Sequence, residues 1–257
     1  MPDQQHFSQE QLDDLLREGS PLEDAIIDAL EFELDALEEL SATNVRFINC
    51  RWVEADFSAA RFVDCQFAGC SFSRGQLGDV TFVRCNFFDS GEGDGTDFTY
   101  AEMREAAFEN CNLSSSRFVG ADMFDVSIKD SKANGADFDQ ATFTRTYGRA
   151  QRVTRATMTS TIFDDANMAG LDLENCNLAK SSFVRADLSS TIFVEADMSE
   201  CDLAGAQLRR SNFDRTDLRG AQLEGMSLGL LSGYDGMKIS EDQQSSILAH
   251  LGIQVYP

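Results

Sequence analysis

Apolar residues recur at every fifth position over most of this chain. Thirty-six positions from Phe47 to Leu228 follow this rhythm, with one shift of phase across residues 88–97, and only Ala133 and Gly148 among them are not large and apolar. An amphipathic helix repeats every three to four residues and a half-buried strand every two, so a period of five fits neither. A fixed short period sustained over so many residues predicts a repeat architecture.

The position two residues before each apolar centre is usually Ala, Gly or Cys, which predicts that a large and a small side chain alternate on the inside. The clearest copies are Ala-Asp-Leu-Ser-Ser at 186–190 and Ala-Asp-Met-Ser-Glu at 196–200. This pattern resembles the pentapeptide-repeat family. The resemblance implies an all-β fold, a right-handed quadrilateral β-helix in which four pentapeptides make one coil. Thirty-six centres then predict about nine coils, over residues 45–230.

All seven cysteines occupy the small inward position. They are Cys50, Cys65, Cys70, Cys85, Cys111, Cys176 and Cys201. A free cysteine packs as a small buried hydrophobe, so we interpret them as core residues rather than as a metal site or a disulfide framework. Their odd number and dispersed spacing are typical of a reducing compartment, and no apolar run approaches the roughly 20 residues of a membrane span. We therefore predict a cytoplasmic protein without a membrane partner.

The chain offers little to catalysis. Its only histidines are His6 and His250, at opposite ends, so no histidine-based triad or zinc cluster can form within the repeat. No glycine-rich phosphate-binding loop is present. The carboxylates recur at outward positions of the repeat, where a solvated face explains them better than paired general acids. We predict a protein that is not an enzyme and holds no cofactor or metal.

The net charge of −23 argues against direct nucleic-acid binding, because phosphate contacts need Lys and Arg. When outward residues after 97 are sorted by every twentieth centre, the acid falls on two adjacent faces, one through Phe98 and one through Met103. A rod with a negative side offers a DNA-binding protein a field like that of a duplex, although acidity that merely keeps the rod in solution stays an alternative. The predicted DNA-mimicking residues are Asp97, Asp122, Asp125, Asp137, Asp139, Asp164, Asp165, Asp197, Glu200 and Asp202.

Two interruptions of the repeat, near 88–97 and 144–156, are candidate contact loops, because loops on a rigid scaffold commonly carry function. The first has three glycines and predicts a flexible excursion. The second keeps the register overall, so it is either an excursion of whole pentapeptides or a distorted coil. It is rich in Arg and contains no acid, which favours contact with an acidic or mixed-charge protein surface over a solvated bulge. The candidate contact residues are Glu92, Asp94, Arg145, Tyr147, Arg149, Arg152 and Arg155.

Both ends predict helices. Ser8 and Gln11 form a capping box for a first helix ended by Gly19, and Ser20, Pro21 and Glu23 predict the start of a second. Residues 1–44, predicted to be a helical extension, contribute −12 of the net charge.

In the tail, residues 231–257, a capping box of Ser240 and Gln243 predicts a helix stopped by Gly252, followed by a short strand at 253–255. Ile247, Leu248 and Leu251 share one face of that helix. They predict either a cap on the last coil or, as we favour, a homodimer interface.

The order of these parts resembles one branch of the family, the quinolone-resistance (Qnr-type) proteins. The stretches that carry the resemblance are Phe-Val-Arg-Cys-Asn-Phe-Phe-Asp at 82–89, Asn-Gly-Ala-Asp-Phe at 134–138, Thr-Arg-Thr-Tyr at 144–147 and Leu-Ala-His-Leu-Gly-Ile-Gln-Val at 248–255. The resemblance implies a dimeric, DNA-shaped rod that binds DNA gyrase and topoisomerase IV and protects them from fluoroquinolones. The alternative is a structural or adaptor solenoid that binds another protein.

Overall fold

The computed structural model of the chain describes residues 5–29, 37–148, 151–250 and 252–253. The strands are β1 Gln5–His6, β2 Leu22–Glu23, β3 Ala25–Asp28, β4 Ser41–Thr43, β5 Arg46–Ile48, β6 Arg61–Val63, β7 Gln66–Ala68, β8 Thr81–Val83, β9 Phe88–Asp89, β10 Asp94–Gly95, β11 Ala107–Glu109, β12 Val126–Lys129, β13 Thr144–Tyr147, β14 Gln151–Thr154 and β15 Ala156–Thr159. The α-helices are α1 Gln9–Arg17 and α2 Gln244–His250, and short 3-10 helices span Leu228–Leu230 and Glu241–Gln243.

Each coil stacks on the next through parallel pairing, and the four sides of the coil form four walls. The first wall is the seven-stranded ladder β2, β4, β6, β8, β11, β12 and β15, and the second contains β1, β3, β5 and β7. The third and fourth walls are built from single parallel bridges, for example Arg51 to Ser71 on the third and Asp56 to Gln76 on the fourth. The predicted four-sided β-helix is therefore confirmed.

The core is a set of aromatic and aliphatic columns that run along the inside of the walls. Phe118 is fully buried, and its ring stacks on Phe98 at 5.0 Å and on Phe138 at 4.9 Å between centroids. A second column of stacked rings joins Phe47, Phe67 and Phe87. The five-residue rhythm thus has a direct cause, since each apolar centre meets the centre of the same wall one coil away.

The corners between walls explain the three outward residues of each pentapeptide. The last of the three takes a left-handed backbone conformation, as at Asn49 (φ +54°) and Asp64 (φ +54°). The residue before each apolar centre fixes the corner from outside, because an Asp or Asn there accepts a hydrogen bond from the backbone N–H two residues later. Asp187 does so from Ser189 N at 2.9 Å. The Asp/Asn of the repeat formula is therefore a turn-capping residue.

The cysteines lie where the repeat predicts them. All seven are free thiols and all are buried. Six of the thiols donate to backbone carbonyls, as Cys201 Sγ does to Leu178 O at 3.1 Å. Burial raises the pKa of the Cys176 and Cys201 thiols to about 12.

These raised pKa values predict a loss of stability in alkali. A thiol with a folded pKa above its unfolded value of about 8.5 stabilises the fold fully below that pH, and the contribution is lost as the pH rises towards 12. Cys176→Ala with Cys201→Ala, at positions that Ala fills elsewhere, should flatten the decline in unfolding free energy between about pH 8.5 and about pH 10. Denaturant unfolding across that range measures it, and an equally steep decline in the double variant would contradict the assignment. The native thiols should also resist thiol reagents until the protein unfolds.

The N-terminal segment is only partly helical. The predicted capping box is confirmed, with Gln11 N donating to Ser8 Oγ and Ser8 N to Gln11 Oε1, and α1 ends before Gly19 at φ +64°. The prediction of a second helix starting at residues 20–23 is wrong for the part that the structure describes. There the chain forms β2 and β3, which pair in parallel with β4 and β5.

The physical reason for this correction lies in the repeat itself. Leu22 and Ile27 are buried five residues apart, and Ala25 fills the small position between them. The pairing of β2 and β3 with the next coil outweighs the local start signals for a helix, because it buries this apolar face against an existing ladder. The coils therefore begin upstream of residue 45, and their number differs from the predicted nine. Residues 30–36, over which the predicted helix would have continued, lie outside the described residues.

The C-terminal end is covered by the tail. The predicted capping box of Ser240 and Gln243 is present. Gln243 Nε2 also donates to Leu218 O at 2.8 Å and to Ala221 O at 2.7 Å, which satisfies carbonyls that a further coil would otherwise have bonded. Ile247 is buried and joins the core of the coils.

The first interruption is a short antiparallel hairpin of β9 and β10, and its glycines have different roles. Gly93 takes φ +78° at the turn. Gly95 instead lies against the next coil, where a Cβ atom would approach Ser116 N to 2.3 Å and the Ser115 carbonyl carbon to 2.4 Å. This close backbone contact is a packing requirement, so the glycine-rich composition of the loop reflects more than flexibility.

Gly95→Ala should therefore destabilise the protein by about 1 to 3 kcal/mol or more, the cost typical of overpacking against backbone that cannot move aside. Gly91→Ala is the matched control, since a Cβ atom there meets only the Asp89 carboxylate oxygen at 3.2 Å. Thermal and denaturant unfolding of the two variants measure the difference. Equal, small losses would show that Gly95 is not held against the coil.

Candidate functional site: the second hairpin and the acidic wall

The second interruption is an antiparallel hairpin of β13 and β14. Its base pairs Thr144 with Thr154, whose hydroxyl oxygens lie 2.8 Å apart, and its register continues to Tyr147 opposite Gln151. It inserts ten residues between the centres Phe143 and Met158 in addition to the usual five. The repeat is therefore interrupted by two whole pentapeptides, and Gly148 and Val153 are hairpin residues rather than inward centres.

The hairpin folds back onto the fourth wall and covers an aromatic residue there. Phe124 occupies an outward position of the repeat, yet it is only 1% exposed. The guanidinium carbon of Arg155 lies 5.3 Å and that of Arg145 5.7 Å from its ring centroid, which are cation–π distances. Tyr147 meets the same ring edge-on at 6.4 Å while remaining 47% exposed.

Two ion pairs attach the hairpin to the fourth wall, one to the residue next to Phe124 and one to the coil that follows the hairpin. Arg155 pairs with Asp125, and Arg152 Nη2 lies 2.5 Å from Asp172 Oδ2. Arg145 lines a groove together with Asp79, Glu102, Arg104 and Glu105. The arginines predicted to meet a partner thus already contact acidic and aromatic side chains of their own coils. Arg149 lies outside the described residues.

The wall beneath this hairpin is the most acidic of the four. Between residues 56 and 215 its outward positions outside the hairpin carry ten carboxylates and two arginines, whereas acids and bases are nearly balanced on the first and third walls. The fourth-wall carboxylates are Asp56, Asp79, Glu102, Glu105, Asp122, Asp125, Asp172, Glu174, Glu195 and Asp214. The excess of carboxylates therefore lies on one side of the protein, on a single wall rather than on two adjacent walls.

The predicted set of acidic residues on two adjacent faces is wrong in its placement. Asp122 and Asp125 lie on the fourth wall, but Asp97, Asp137 and Asp139 lie on the third, Asp164, Asp165 and Asp202 on the second, and Asp197 and Glu200 on the first. The cause is the hairpin. Counting every twentieth residue treats the ten extra residues of the hairpin as half a coil, although these residues lie outside the coil. The count therefore assigns every later residue to the wall opposite its true one.

Several of these predicted acids also have structural roles. The side chains of Asp97, Asp137, Asp197 and Asp202 accept hydrogen bonds from backbone N–H groups two residues later and cap the corners. Arg185 holds the pKa of Asp165 below its usual range through a side-chain hydrogen bond and charge, with Nη2 and Oδ2 2.6 Å apart. On the fourth wall outside the hairpin, Arg104 pairs with Glu102 and Asp122 and Arg215 pairs with Glu195, and the excess of carboxylates that remains there is still the largest of the four walls.

The two residues that matter most here and that the sequence reasoning missed are Phe124 and Asp172. A signal for Phe124 was available, since it is a large aromatic side chain at an outward position that is otherwise mostly polar or small. Asp172 gave no such signal. It becomes a hairpin contact only because the coil after the hairpin stacks directly on the coil before it.

The other predicted contact residues lie elsewhere. Glu92 and Asp94 are exposed at the tip of the first hairpin. Of the predicted dimer residues, Ile247 is buried within its own chain, Leu248 is half-buried and Leu251 lies outside the described residues. Nearby at this end, Leu230, Tyr234 and Ile253 are exposed.

The described residues form neither a metal site nor a membrane-spanning helix. No group of three or more His, Cys, Asp or Glu side chains is arranged to hold a metal ion in the part of the chain with assigned structure. Among the same residues, none of the helices has the length and apolarity needed to cross a membrane.

The five-residue repeat of this chain matches models of a known protein family. A family model described as "Pentapeptide repeat region" matches residues 60–138, and one described as "Pentapeptide repeats (8 copies)" matches within residues 158–228. The pentapeptide repeat protein QnrB4 of Escherichia coli is 30% identical over 84 residues, which cover 33% of this chain and 39% of QnrB4. That alignment spans well under half the length of QnrB4.

Solved structures extend the similarity to the whole architecture. Full-length QnrB1, described as a plasmid-mediated fluoroquinolone resistance protein, superposes with a TM-score of 0.78 at 25% identity, covering 82% of this chain and 99% of QnrB1. A trypsin-treated variant of QnrB1 gives a TM-score of 0.75 over 83% of this chain and 99% of its own, also at 25% identity. With the repeat, the four walls and this near-complete superposition together, the chain belongs to the pentapeptide-repeat family and has the architecture of its Qnr-type members.

Proposed function

We propose that this protein binds a type II topoisomerase, DNA gyrase or topoisomerase IV, and protects it from fluoroquinolone-type poisons. The observation that carries the proposal is the superposition on QnrB1 over 99% of that chain, because QnrB1 is described as a fluoroquinolone resistance protein. At 25% identity the match concerns the scaffold. The specific partner is therefore argued from the surface as well.

The electrostatics of the rod support a partner that ordinarily binds DNA. Such a protein presents Lys and Arg along a groove, and a stiff rod with carboxylates spaced along one side offers that groove a similar field. Each coil contributes one set of outward positions to the fourth wall, and neighbouring coils stack at about the 4.8 Å spacing of paired strands. The second hairpin stands at the middle of this wall and presents Tyr147 to solvent.

The test is a gyrase supercoiling assay with and without ciprofloxacin, over a range of concentrations of the purified protein. We expect supercoiling to be restored in the presence of the drug and to be weakly inhibited by excess protein in its absence. Binding should weaken as salt rises, since exposed charges are screened beyond about 8 Å at physiological ionic strength. A protein that neither protects nor inhibits at any concentration would favour the adaptor alternative instead.

We further propose that the protein acts as a homodimer through its C-terminal end. Ile247 serves the cap, so the apolar surface left for a second copy consists of Leu248, Leu230, Tyr234 and Ile253. Leu248→Asp should turn a dimer into a folded monomer by placing an unpaired charge in the interface. Light scattering measures this, with Asp242→Asn as a control on an exposed neighbour. A monomeric parent protein would remove the premise.

A further inference from the structure

The burial of Phe124 depends on the second hairpin. Its position, one residue after the inward centre Met123, faces away from the core, and the side chains known to contact its ring belong to residues 145, 147 and 155. An aromatic ring at such a position would be exposed if β13 and β14 were not folded over it. The hairpin therefore acts as a cover for one apolar group on an otherwise acidic wall.

The attachments of the cover are weak individually. The side chains of Arg152 and Arg155 are 61% and 56% exposed, although their partners Asp172 and Asp125 are only 14% and 30% exposed. Ion pairs with one member this exposed are screened by salt and stabilise little. Cation–π contacts at exposed sites are likewise modest.

The base of the hairpin is bonded differently and belongs to the coil. Arg155 N donates to Phe143 O at 3.0 Å, and Asp125 N donates to Arg155 O at 2.8 Å. The first bond joins the two ends of the hairpin to each other, and the second joins the returning chain to the coil beneath. Strands β13 and β14 can consequently swing away from the wall about residues 144 and 154 without breaking the ladder.

We propose that β13 and β14, together with the side chain of Arg155 at their base, form an electrostatic strap, closed over Phe124 in the free protein and released when the basic surface of a partner protein competes for Asp125 and Asp172. Release bares an aromatic contact, frees the two carboxylates, and makes the hairpin arginines available to acidic groups of the same partner. That the partner is a topoisomerase rests on the proposed function. The strap itself does not.

The first experiment measures opening in the protein alone. Phe124→Cys places one outward thiol under the strap, while the seven native thiols are buried, so its rate of reaction with a thiol reagent reports opening. Asp125→Asn with Asp172→Asn should raise that rate by about two- to tenfold, as expected for the loss of two exposed ion pairs. Raising NaCl from about 0.05 M to about 0.5 M should raise the labelling rate of the Phe124→Cys protein without the Asp substitutions by a similar factor.

The matched control is Asp165→Asn, which breaks the ion pair with Arg185 on the second wall and should leave the labelling rate unchanged. Because Phe124→Cys itself removes the ring, the same series is repeated by fluorine NMR with 4-fluorophenylalanine at position 124. Its signal should move towards the solvent-exposed value with salt and in the double Asp variant. A labelling rate and a fluorine signal that both ignore salt and the two Asp substitutions would overturn the strap.

The second experiment adds gyrase to the fluorinated protein. If the released ring becomes a contact, its signal should shift and broaden on binding, and Phe124→Ser should weaken binding more than Asp165→Asn does. Binding with an unchanged fluorine signal would overturn the partner half of the proposal. Absence of any binding would overturn the proposed function together with that half, whereas the labelling result would still decide whether the strap opens.

Discussion

Phe118→Ala is expected to lower the free energy of unfolding by about 3 to 5 kcal/mol, the cost of a cavity in a well-packed core. The ring is fully buried and stacks on both neighbours of its column, at 5.0 Å from Phe98 and 4.9 Å from Phe138. Its removal therefore leaves a gap between coils that the ladder on either side prevents from closing. Chemical denaturation followed by circular dichroism measures the loss.

Lys132→Ala is the matched control for this substitution, because Lys132 is an exposed outward residue on the adjacent second wall. It should change the unfolding free energy by less than about 0.5 kcal/mol. Asp137 is less suitable than its outward position suggests, since its carboxylate accepts hydrogen bonds from Asp139 N and from Asn167 Nδ2. Similar losses at Phe118 and Lys132 would contradict the assignment of inward and outward positions.

Removal of the second hairpin is expected to weaken protection from ciprofloxacin strongly while leaving the coils folded. Residues 145–153 are replaced by Asn-Gly, the preferred two-residue turn between paired strand ends such as Thr144 and Thr154. Phe124→Ser is included because the ring would otherwise be exposed. The effective concentration for protection should rise by at least about tenfold, which corresponds to a lost contact of about 1.4 kcal/mol. Weak inhibition of supercoiling at high concentration should persist.

The control for lost positive charge is Arg209→Ala with Arg210→Ala, two exposed arginines on the third wall, away from the hairpin. This variant should protect as well as the parent. Phe124→Ser alone, with the hairpin present, separates the effect of the ring from that of the loop. A hairpin deletion that protects as well as the parent would show that the arginine-rich segment is a solvated bulge and would end its assignment as a contact site.

The sequence by itself determined the repeat, its inward residues and the caps. Phe118, Cys201 and the small residues before each centre could be assigned because the pattern depends only on alternation within five residues, which every coil repeats. The capping boxes at Ser8 and Ser240 were readable for the same reason, since each is completed within four residues. A backbone geometry that recurs in every coil requires the same residue types at the same spacing, and this spacing can be recognised in the sequence.

The contacts between residues of different coils were decided only by the tertiary structure. Residues 22–28 carry helix-start signals but pair as strands, because the next coil offers them a ladder and a buried face. Wall membership depends on the cumulative count of residues, so the ten extra residues between the centres Phe143 and Met158 reassign every later outward carboxylate. Asp172 and Phe124 come together under the hairpin 48 positions apart in the chain, through contacts for which no local pattern exists.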